Sequence, residues 1–443
     1  MALPTILNVP VSYCVLPMVR VLYTVLLYLL IPLVIVRLLW RSRKAPEYRK
    51  RWGERFGFVP KIELERKVIW VHSVSVGETL ASVPMIKRLQ SHYPEALVVV
   101  TTMTPTGSAR VRSIFGDSIY HVYAPYDLPD ALTRFLSRIH PDLLVIMETE
   151  LWPNMIHHCH RLDIPVIVAN ARLSERSAKG YQKFSGLTLP MLQKLHCVAA
   201  QHCDDGDRFL ALGLNETQLS VTGNIKFDVN LDDAIKNKAG ELKAQWRGEG
   251  QRPIFLAAST HRGEDQIILD GYEEIRAHYP DLLLVLVPRH PERFDEVAQL
   301  CLARGLKVVR RSEKVIPTLS DQVLLGDTMG ELMLFFGACD LAFVGGSLVP
   351  VGGHNLIEPA IWSAPVLSGP HLFNFSEASR LLREAQGMVI CEDAEAIAEL
   401  VVSLLQDKQA AKRMGDAAKS VADNNRGALD KLLGIIEHQL SSH

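Results

Sequence analysis

The segment HSVSVGETLASVPMI (residues 72–86) places a carboxylate, Glu78, where the apolar run KVIWV gives way to a Ser/Gly turn and then to a helical pattern. A carboxylate at such a loop tip can accept the proton of an attacking hydroxyl. The same residue type also complements the positive end of a helix dipole, and the residues alone leave both readings open. METELWPN (147–154) sets Glu148 and Glu150 at the end of another apolar run. Two neighbouring carboxylates raise the pKa of one of them; a structural carboxylate bound to a nearby Arg is the equal alternative. GNIKFD (223–228) contributes Lys226, and NARLSERS (170–177) contributes Arg172 and Arg176. These cations suit an anionic group, although surface cations look the same in sequence.

The second half carries a glycine-rich element, FVGGSLVPVGGHNLIEPA (343–360). A buried run ends in Gly345-Gly346-Ser347, and Gly352-Gly353 precedes a helix start. Glycines there let backbone amides approach a phosphate, and a helix N-terminus favours anions. Asn355 and Glu358 stand three apart, so a helix puts them on one face, where a carboxylate can take both hydroxyls of a ribose. A capping box joining Asn355 to Glu358 explains that pair equally well, but not four glycines. VPRHPERF (287–294) adds Arg289 and His290 at a strand end, and Arg289 suits a phosphate because its planar fork is permanently charged. GDTMGELM (326–333) and AASTHRGED (257–265) are further strand-end turns.

Other chemistries find little support. AASTHRGED lacks the spacing of a nucleoside-triphosphate loop, and neither half has a GxGxxG after its first strand, which disfavours a nicotinamide or flavin cofactor. His157, His158 and His160 fall on one amphipathic helix at positions that cannot all point inward, so a metal site is not expected. The seven cysteines show no CxxC and read as free thiols.

The elements that must hold these residues alternate. Candidate strands at 67–73, 96–102, 143–149, 165–171, 197–201 and 219–224 are β-branched runs separated by helix-length segments, the pattern of parallel strands buried on both faces. The polar stretch 233–250 reads as a linker plus helix. The pattern then restarts at 253–259, 282–288, 306–311, 323–327, 341–347, 365–369 and 388–391. The expected fold is α/β, with two Rossmann-like doubly wound domains facing a cleft and ligands at the carboxyl ends of the strands. The boundaries read as 1–46 for a membrane anchor with its basic segment, 47–232 for the first domain, 233–250 for the linker, 251–420 for the second domain and 421–443 for a C-terminal helix.

The anchor rests on VLYTVLLYLLIPLVIV (21–36), uncharged between Arg20 and Arg37, followed by the basic tract RSRKAPEYRKRWGERFG. The run approaches the roughly 20 residues that cross a bilayer core, and the positive charges place its C-terminal side in the cytoplasm. Pro32 leaves open a helix lying in the interface, and a cleaved signal peptide is the rival, although no small-residue cleavage site follows the run. The whole chain, 443 residues with net charge −1, has ordinary globular composition, so no nucleic-acid partner is implied.

Taken in order, HSVSVGE, ETELWPN, NARLSERS, GNIKFD, PRHPERF, DTMGEL and GGHNLIEPA resemble the 3-deoxy-D-manno-octulosonic acid (Kdo) transferases of Gram-negative lipopolysaccharide synthesis, from the anchor to about residue 430. The resemblance implies a GT-B fold, a CMP-Kdo donor, a tetraacyl lipid A precursor as acceptor, and residence at the bacterial inner membrane with the catalytic domains on its cytoplasmic side. It implies direct displacement with Glu78 as catalytic base, with Glu148 and Lys226 stabilising the transition state. Pro288, Arg289, Met329, Gly330, Glu331, Asn355, Leu356, Ile357 and Glu358 match the segments that hold CMP. Neither a cofactor nor a metal is implied, since a departing monophosphate carries less charge than a diphosphate. Ser75, Arg172, Lys87 and Arg88 are candidate anion or acceptor contacts, the last two on the helix TLASVPMIKRL. A nucleotide-sugar epimerase of the same architecture is an alternative, opposed by the anchor. A membrane-tethered nucleotide-binding protein without catalysis is another, and it would have no use for Glu78.

Overall fold

The computed structural model describes residues 15–43, 45–62, 66–229 and 231–441. Cys14 and Lys44 lie outside them, as does the stretch before residue 15. The chain divides into two units, one formed by residues up to Asp228 together with those from Gly427 onward, the other by Val229–Arg426.

The first unit is built on seven parallel strands: β1 Val68–His72, β2 Leu97–Thr102, β3 Tyr120–Tyr123, β4 Leu143–Met147, β5 Val166–Ala171, β6 Cys197–Ala200 and β7 Leu219–Val221. Their order is β3-β2-β1-β4-β5-β6-β7. Alternate residues of β1 serve opposite faces, as the pleat demands: Val68 and Trp70 join one core, Ile69 and Val71 the other. Burial on both faces explains why these strands read as continuous apolar runs. Strand β3, YHVY, is the one the apolar-run pattern passes over; it lies at the sheet edge and mixes His with Tyr.

The last helix, Ala428–Ser441, completes this unit. Its Leu432, Leu433, Ile436 and Leu440 enter the core that contains Met85 and Leu89 of helix Val76–His92. Asp228 holds its start, accepting the amides of Gly427 and Leu429, each at 2.6 Å.

The second unit carries β8 Ile254–Thr260, β9 Leu283–Pro288, β10 Val308–Arg310, β11 Val323–Leu325, β12 Leu341–Val344, β13 Val366–Ser368 and β14 Met388–Ile390. The order is β10-β11-β9-β8-β12-β13-β14, again all parallel. The expected pair of doubly wound α/β sheets is present. The stretch read as linker plus helix is mostly helix, Asp233–Arg247, and it packs into the second unit through Ala239, Leu242 and Trp246, the indole lying 5.4 Å from the Phe335 ring.

One helix, Val15–Arg41, is apolar and long enough over Met18–Arg41 to cross a membrane. Its polar residues are not scattered. Arg20, Tyr23, Thr24 and Tyr28 recur at helical spacing on one face, and that face docks on the first unit. Tyr23 Oη donates to Asp127 (2.9 Å), Tyr28 Oη to Asp130 (2.5 Å), and Arg20 to Asn154 Oδ1 (3.1 Å). The opposite face exposes Met18, Leu22, Leu29, Leu33 and Val36. Arg20, expected to bracket the apolar run, instead bonds to the protein body. Pro32 is accommodated within the helix.

Candidate active site

In a doubly wound sheet, the crevice for a ligand opens where neighbouring strands lead away in opposite directions. In the first unit that point lies between β1 and β4, which pair in register with His72 opposite Ile146. Glu78 follows β1 and Glu148 follows β4.

Glu78 occupies the first turn of helix Val76–His92 and closes a capping box. Ser75 Oγ accepts the Glu78 amide at 3.2 Å, while the Glu78 carboxylate accepts Val74 N at 2.7 Å, Ser75 N at 3.3 Å and the Ser75 hydroxyl at 2.5 Å. Three donors would normally hold a carboxyl group acidic. Burial outweighs them and, with the nearby charge of Glu148, raises the Glu78 pKa above its ordinary value. Glu78 is therefore both a helix cap and a strengthened base.

Glu148, just past β4, has φ of 56°, a left-handed conformation rare outside glycine and asparagine. Its amide still donates to Ala169 O, continuing the ladder at 2.9 Å. Its carboxylate lies 3.7 Å from Lys226 Nζ, which rides on the short turn Ile225–Phe227 after β7. Glu150 accepts the Trp152 indole N–H at 3.1 Å. Its pKa is raised, by burial first and then by the charge of Glu78. At the end of β5, Asn170 is also left-handed, and its Oδ1 accepts Ile225 N at 3.1 Å, which fixes the turn bearing Lys226. Strain of this kind at several strand ends is the signature of a site held in place by its surroundings.

In the second unit the switch point falls between β8 and β12. Ser259 is left-handed at a register shift near the end of β8. The Gly345-Gly346-Ser347 turn follows β12, and here the structure corrects the expectation that its amides reach a phosphate. The side chain of Glu264, fully buried, already fills the turn. One oxygen accepts His261 N (2.8 Å) and Gly346 N (2.7 Å), and the other accepts Ser347 N and Leu348 N (both 2.8 Å). A resident carboxylate stands where a ligand anion would sit. Gly346 has φ of 70°, and a Cβ on Gly345 would come within 3.0 Å of Ser259 O, Thr260 Cα and the Glu264 carboxylate.

Around that turn, the His261 and His354 rings stack with their Nε2 atoms 3.0 Å apart, and the His290 ring lies 5.2 Å from that of His261. Burial, reinforced by the charge of Arg289, holds His354 neutral with a pKa of about 3. Arg289 follows β9, its amide donating to Thr260 O at 3.0 Å. Asn355 accepts Ile357 N (3.0 Å) and donates to Glu358 (3.2 Å), so the cap and the carboxylate are joined. Burial raises the Glu358 pKa, while Asn355 and then Arg289 oppose the rise.

Residues 50–229 match the family model described as 3-deoxy-D-manno-octulosonic-acid transferase (kdotransferase). The 3-deoxy-D-manno-octulosonic acid transferase of Haemophilus influenzae is 45% identical over 423 residues, covering 95% of this chain and 99% of its own length. The chain belongs to the Kdo transferase family. The enzyme of the same description from Bordetella pertussis is 36% identical over 382 residues, 84% of this chain and 87% of that protein. Among solved structures, the UDP-GlcNAc 2-epimerase of Neisseria meningitidis aligns with TM-score 0.55 at 17% identity, over 85% of this chain and all of that one, which shows a shared GT-B-like fold. This Kdo transferase is thus a glycosyltransferase.

The other residues singled out in the transferase's sequence are dispersed. Ser75 caps the Glu78 helix. Lys87 and Arg88 stand nine and ten residues further on, about 14 Å along the axis at roughly 1.5 Å per residue. Arg88 pairs with Asp430 at 3.0 Å, so the structure does not bring these two to Glu78. Arg172 is exposed, and its carbonyl accepts the Thr149 hydroxyl. Met329 is exposed and Gly330 left-handed, but the Glu331 carboxylate is clamped by Arg311 (2.7 and 3.1 Å) and by Thr328. Glu264 and the His261–His354 pair escaped the sequence reading. The His in AASTHRGED and the His in GGHN are 93 positions apart, and only the β8–β12 pairing brings them together.

Proposed function

We propose that this transferase moves Kdo from CMP-Kdo to a hydroxyl of a lipid A precursor, a tetraacyl disaccharide bisphosphate, by direct displacement with Glu78 as general base. The observation that carries the reading is the Glu78 carboxylate: it stands at the β1–β4 switch point, is made more basic by burial, and has the Glu148–Lys226 pair in the same unit. In the reaction the acceptor hydroxyl gives its proton to Glu78 as its oxygen attacks the anomeric carbon of Kdo. The bond from that carbon to the CMP phosphate breaks, and CMP departs with the electron pair. Arg289 and Lys226 offset the charge growing on the phosphate, and Glu148 offsets positive charge on the sugar. Glu358, aligned by Asn355, holds the ribose. Pro288, Leu356 and Ile357 shape the nucleotide site, and Met329, Gly330 and Glu331 line its cytidine side, Glu331 through its backbone. Ser75 and Arg172 serve the acceptor side. A monophosphate leaving group needs no metal beside these cations.

The exposed apolar face of helix Val15–Arg41 meets the inner membrane, with the basic segment and both units on the cytoplasmic side. Its support is the division of that helix into a docked polar face and a free apolar one. An acyl-chain acceptor confined to the same leaflet is then searched for in two dimensions.

Glu78→Gln tests the reading, because glutamine, its oxygen turned to Ser75, keeps the capping bonds while losing the base and the acceptor for Val74 N. With CMP-Kdo and the lipid A precursor, mass spectrometry of the lipid should show Kdo added by the wild type. The variant should be slower by about 10²-fold or more, the usual worth of a general base, with unchanged CMP affinity. A variant retaining full turnover would refute the assignment.

A further inference from the structure

A cavity lies in the first unit, where helix Val15–Arg41 meets helices Pro153–Arg161 and Ser185–Leu192. Its volume is about 180 Å³, and Arg20, His157 and Lys194 face an apolar wall of Pro153, Pro190 and Met191. The partners of its cations are neutral groups. Arg20 donates to Asn154 Oδ1 at 3.1 Å, and Lys194 Nζ lies 3.1 Å from His157 Nδ1, a contact that requires an unprotonated ring nitrogen. Asp127 attracts Arg20, but its oxygens are engaged by Tyr23 Oη, Asn154 N and Met155 N. Arg161 adds a further charge nearby. Burial, then the charges of Arg20 and Lys194, hold His157 at a pKa of about 4, and burial followed by Arg20 lowers that of Lys194. Cations that repel one another around a cavity whose wall, among the described residues, has no carboxylate form a site for an anion. The anion's origin follows from the helix that supplies Arg20, since its opposite face exposes Met18, Leu22, Leu29 and Leu33. The apolar wall suits the carbon chain joined to the anion.

We propose that this cavity binds the phosphate of an anionic membrane lipid, seating the enzyme on its membrane through one specific headgroup as well as through apolar contact. The proposal rests on the reading that the free face of the helix meets a bilayer, and the test separates the two. Full-length protein is floated with vesicles of phosphatidylcholine alone and with vesicles containing phosphatidic acid. The wild type is expected to bind both and to prefer the second. Lys194→Gln should weaken binding to phosphatidic acid vesicles by about tenfold or more, beyond the roughly fivefold (about 1 kcal/mol) that any one surface cation contributes. Lys194→Arg should keep the preference. Lys183→Gln, on the exposed surface of a neighbouring helix, should lose no more than fivefold. Equal losses from Lys194→Gln and Lys183→Gln, or none from Lys194→Gln, would overturn the site while leaving the membrane reading intact. Displacement from phosphatidic acid vesicles by millimolar inorganic phosphate would overturn the lipid assignment in favour of free phosphate. A raised acceptor KM in Lys194→Gln with unaltered vesicle binding would overturn it in favour of the acceptor. A wild type that floats with neither vesicle would refute both readings.

Discussion

Replacing Glu264 by glutamine should destabilise the second unit far more than so small a change suggests. The carboxylate takes four backbone N–H groups, two on each oxygen, at 2.7–2.8 Å in a fully buried position. Glutamine keeps one oxygen and presents an NH₂ in place of the other, so whichever way the amide turns, two N–H groups face a donor. Each buried donor left without an acceptor costs about 1–3 kcal/mol, which gives about 2–6 kcal/mol before the lost charge on the remaining bonds is counted. For a unit of this size, each kcal/mol lowers Tm by about 2–4 °C, so a drop of roughly 10 °C is expected by calorimetry. Glu264→Ala vacates the turn altogether, and formate, which restores a carboxylate to the four amides, should recover part of its lost Tm while leaving the wild type unmoved. A Tm for Glu264→Gln within about 2 °C of wild type would refute the account of the turn as one held by a resident anion.

The remaining predictions concern the two strand-end sites and the last helix. As the proposed base, Glu78 must be ionised to act, so kcat/KM is expected to fall as pH drops through its pKa, with the acid limb above an ordinary carboxylate's because the pKa is raised. Glu148→Gln removes a neighbouring negative charge, so the limb should move to lower pH as overall turnover falls; an upward or absent shift refutes the coupling. Gly346→Ala forces a side chain into a left-handed residue (φ 70°) with its Cβ 3.0 Å from the His354 ring, which should cost about 1–2 kcal/mol of stability, read as a lower Tm by calorimetry. Asp228→Ala removes the acceptor for the Gly427 and Leu429 amides, so helix Ala428–Ser441 should loosen by about 1–2 kcal/mol, seen as faster hydrogen exchange across that helix.

What the sequence disclosed follows from which forces are local. Strands such as VIWVH and LLVLVP are buried on both faces, so their apolar content is uniform and visible without neighbours. The edge strand YHVY has no such requirement and was passed over. The strand-end positions of Glu78, Glu148 and Lys226 were legible because each follows a recognisable strand or turn. The capping box around Glu78 was legible in principle, since Ser75 and Glu78 show the S-x-x-E spacing. The occupation of the glycine turn by Glu264 was not, because a carboxylate 82 residues upstream of Gly346 leaves no trace in the turn's own sequence. Nor was the docking of helix Val15–Arg41 evident: Arg20, Tyr23, Thr24 and Tyr28 share a face, but nothing in the apolar run names Asp127, Asp130 and Asn154 as their partners.

The return of the final helix to the first unit bears on how the protein is made. On the ribosome, the seven strands of the first sheet emerge early, but the face that Leu432, Leu433, Ile436 and Leu440 cover stays bare until those residues are translated. The second unit, uninterrupted in sequence, can finish first. A fragment ending at Asp228 should therefore be prone to aggregate, and stop codons that remove Leu432, Leu433, Ile436 and Leu440 should harm the half of the molecule that was synthesised first.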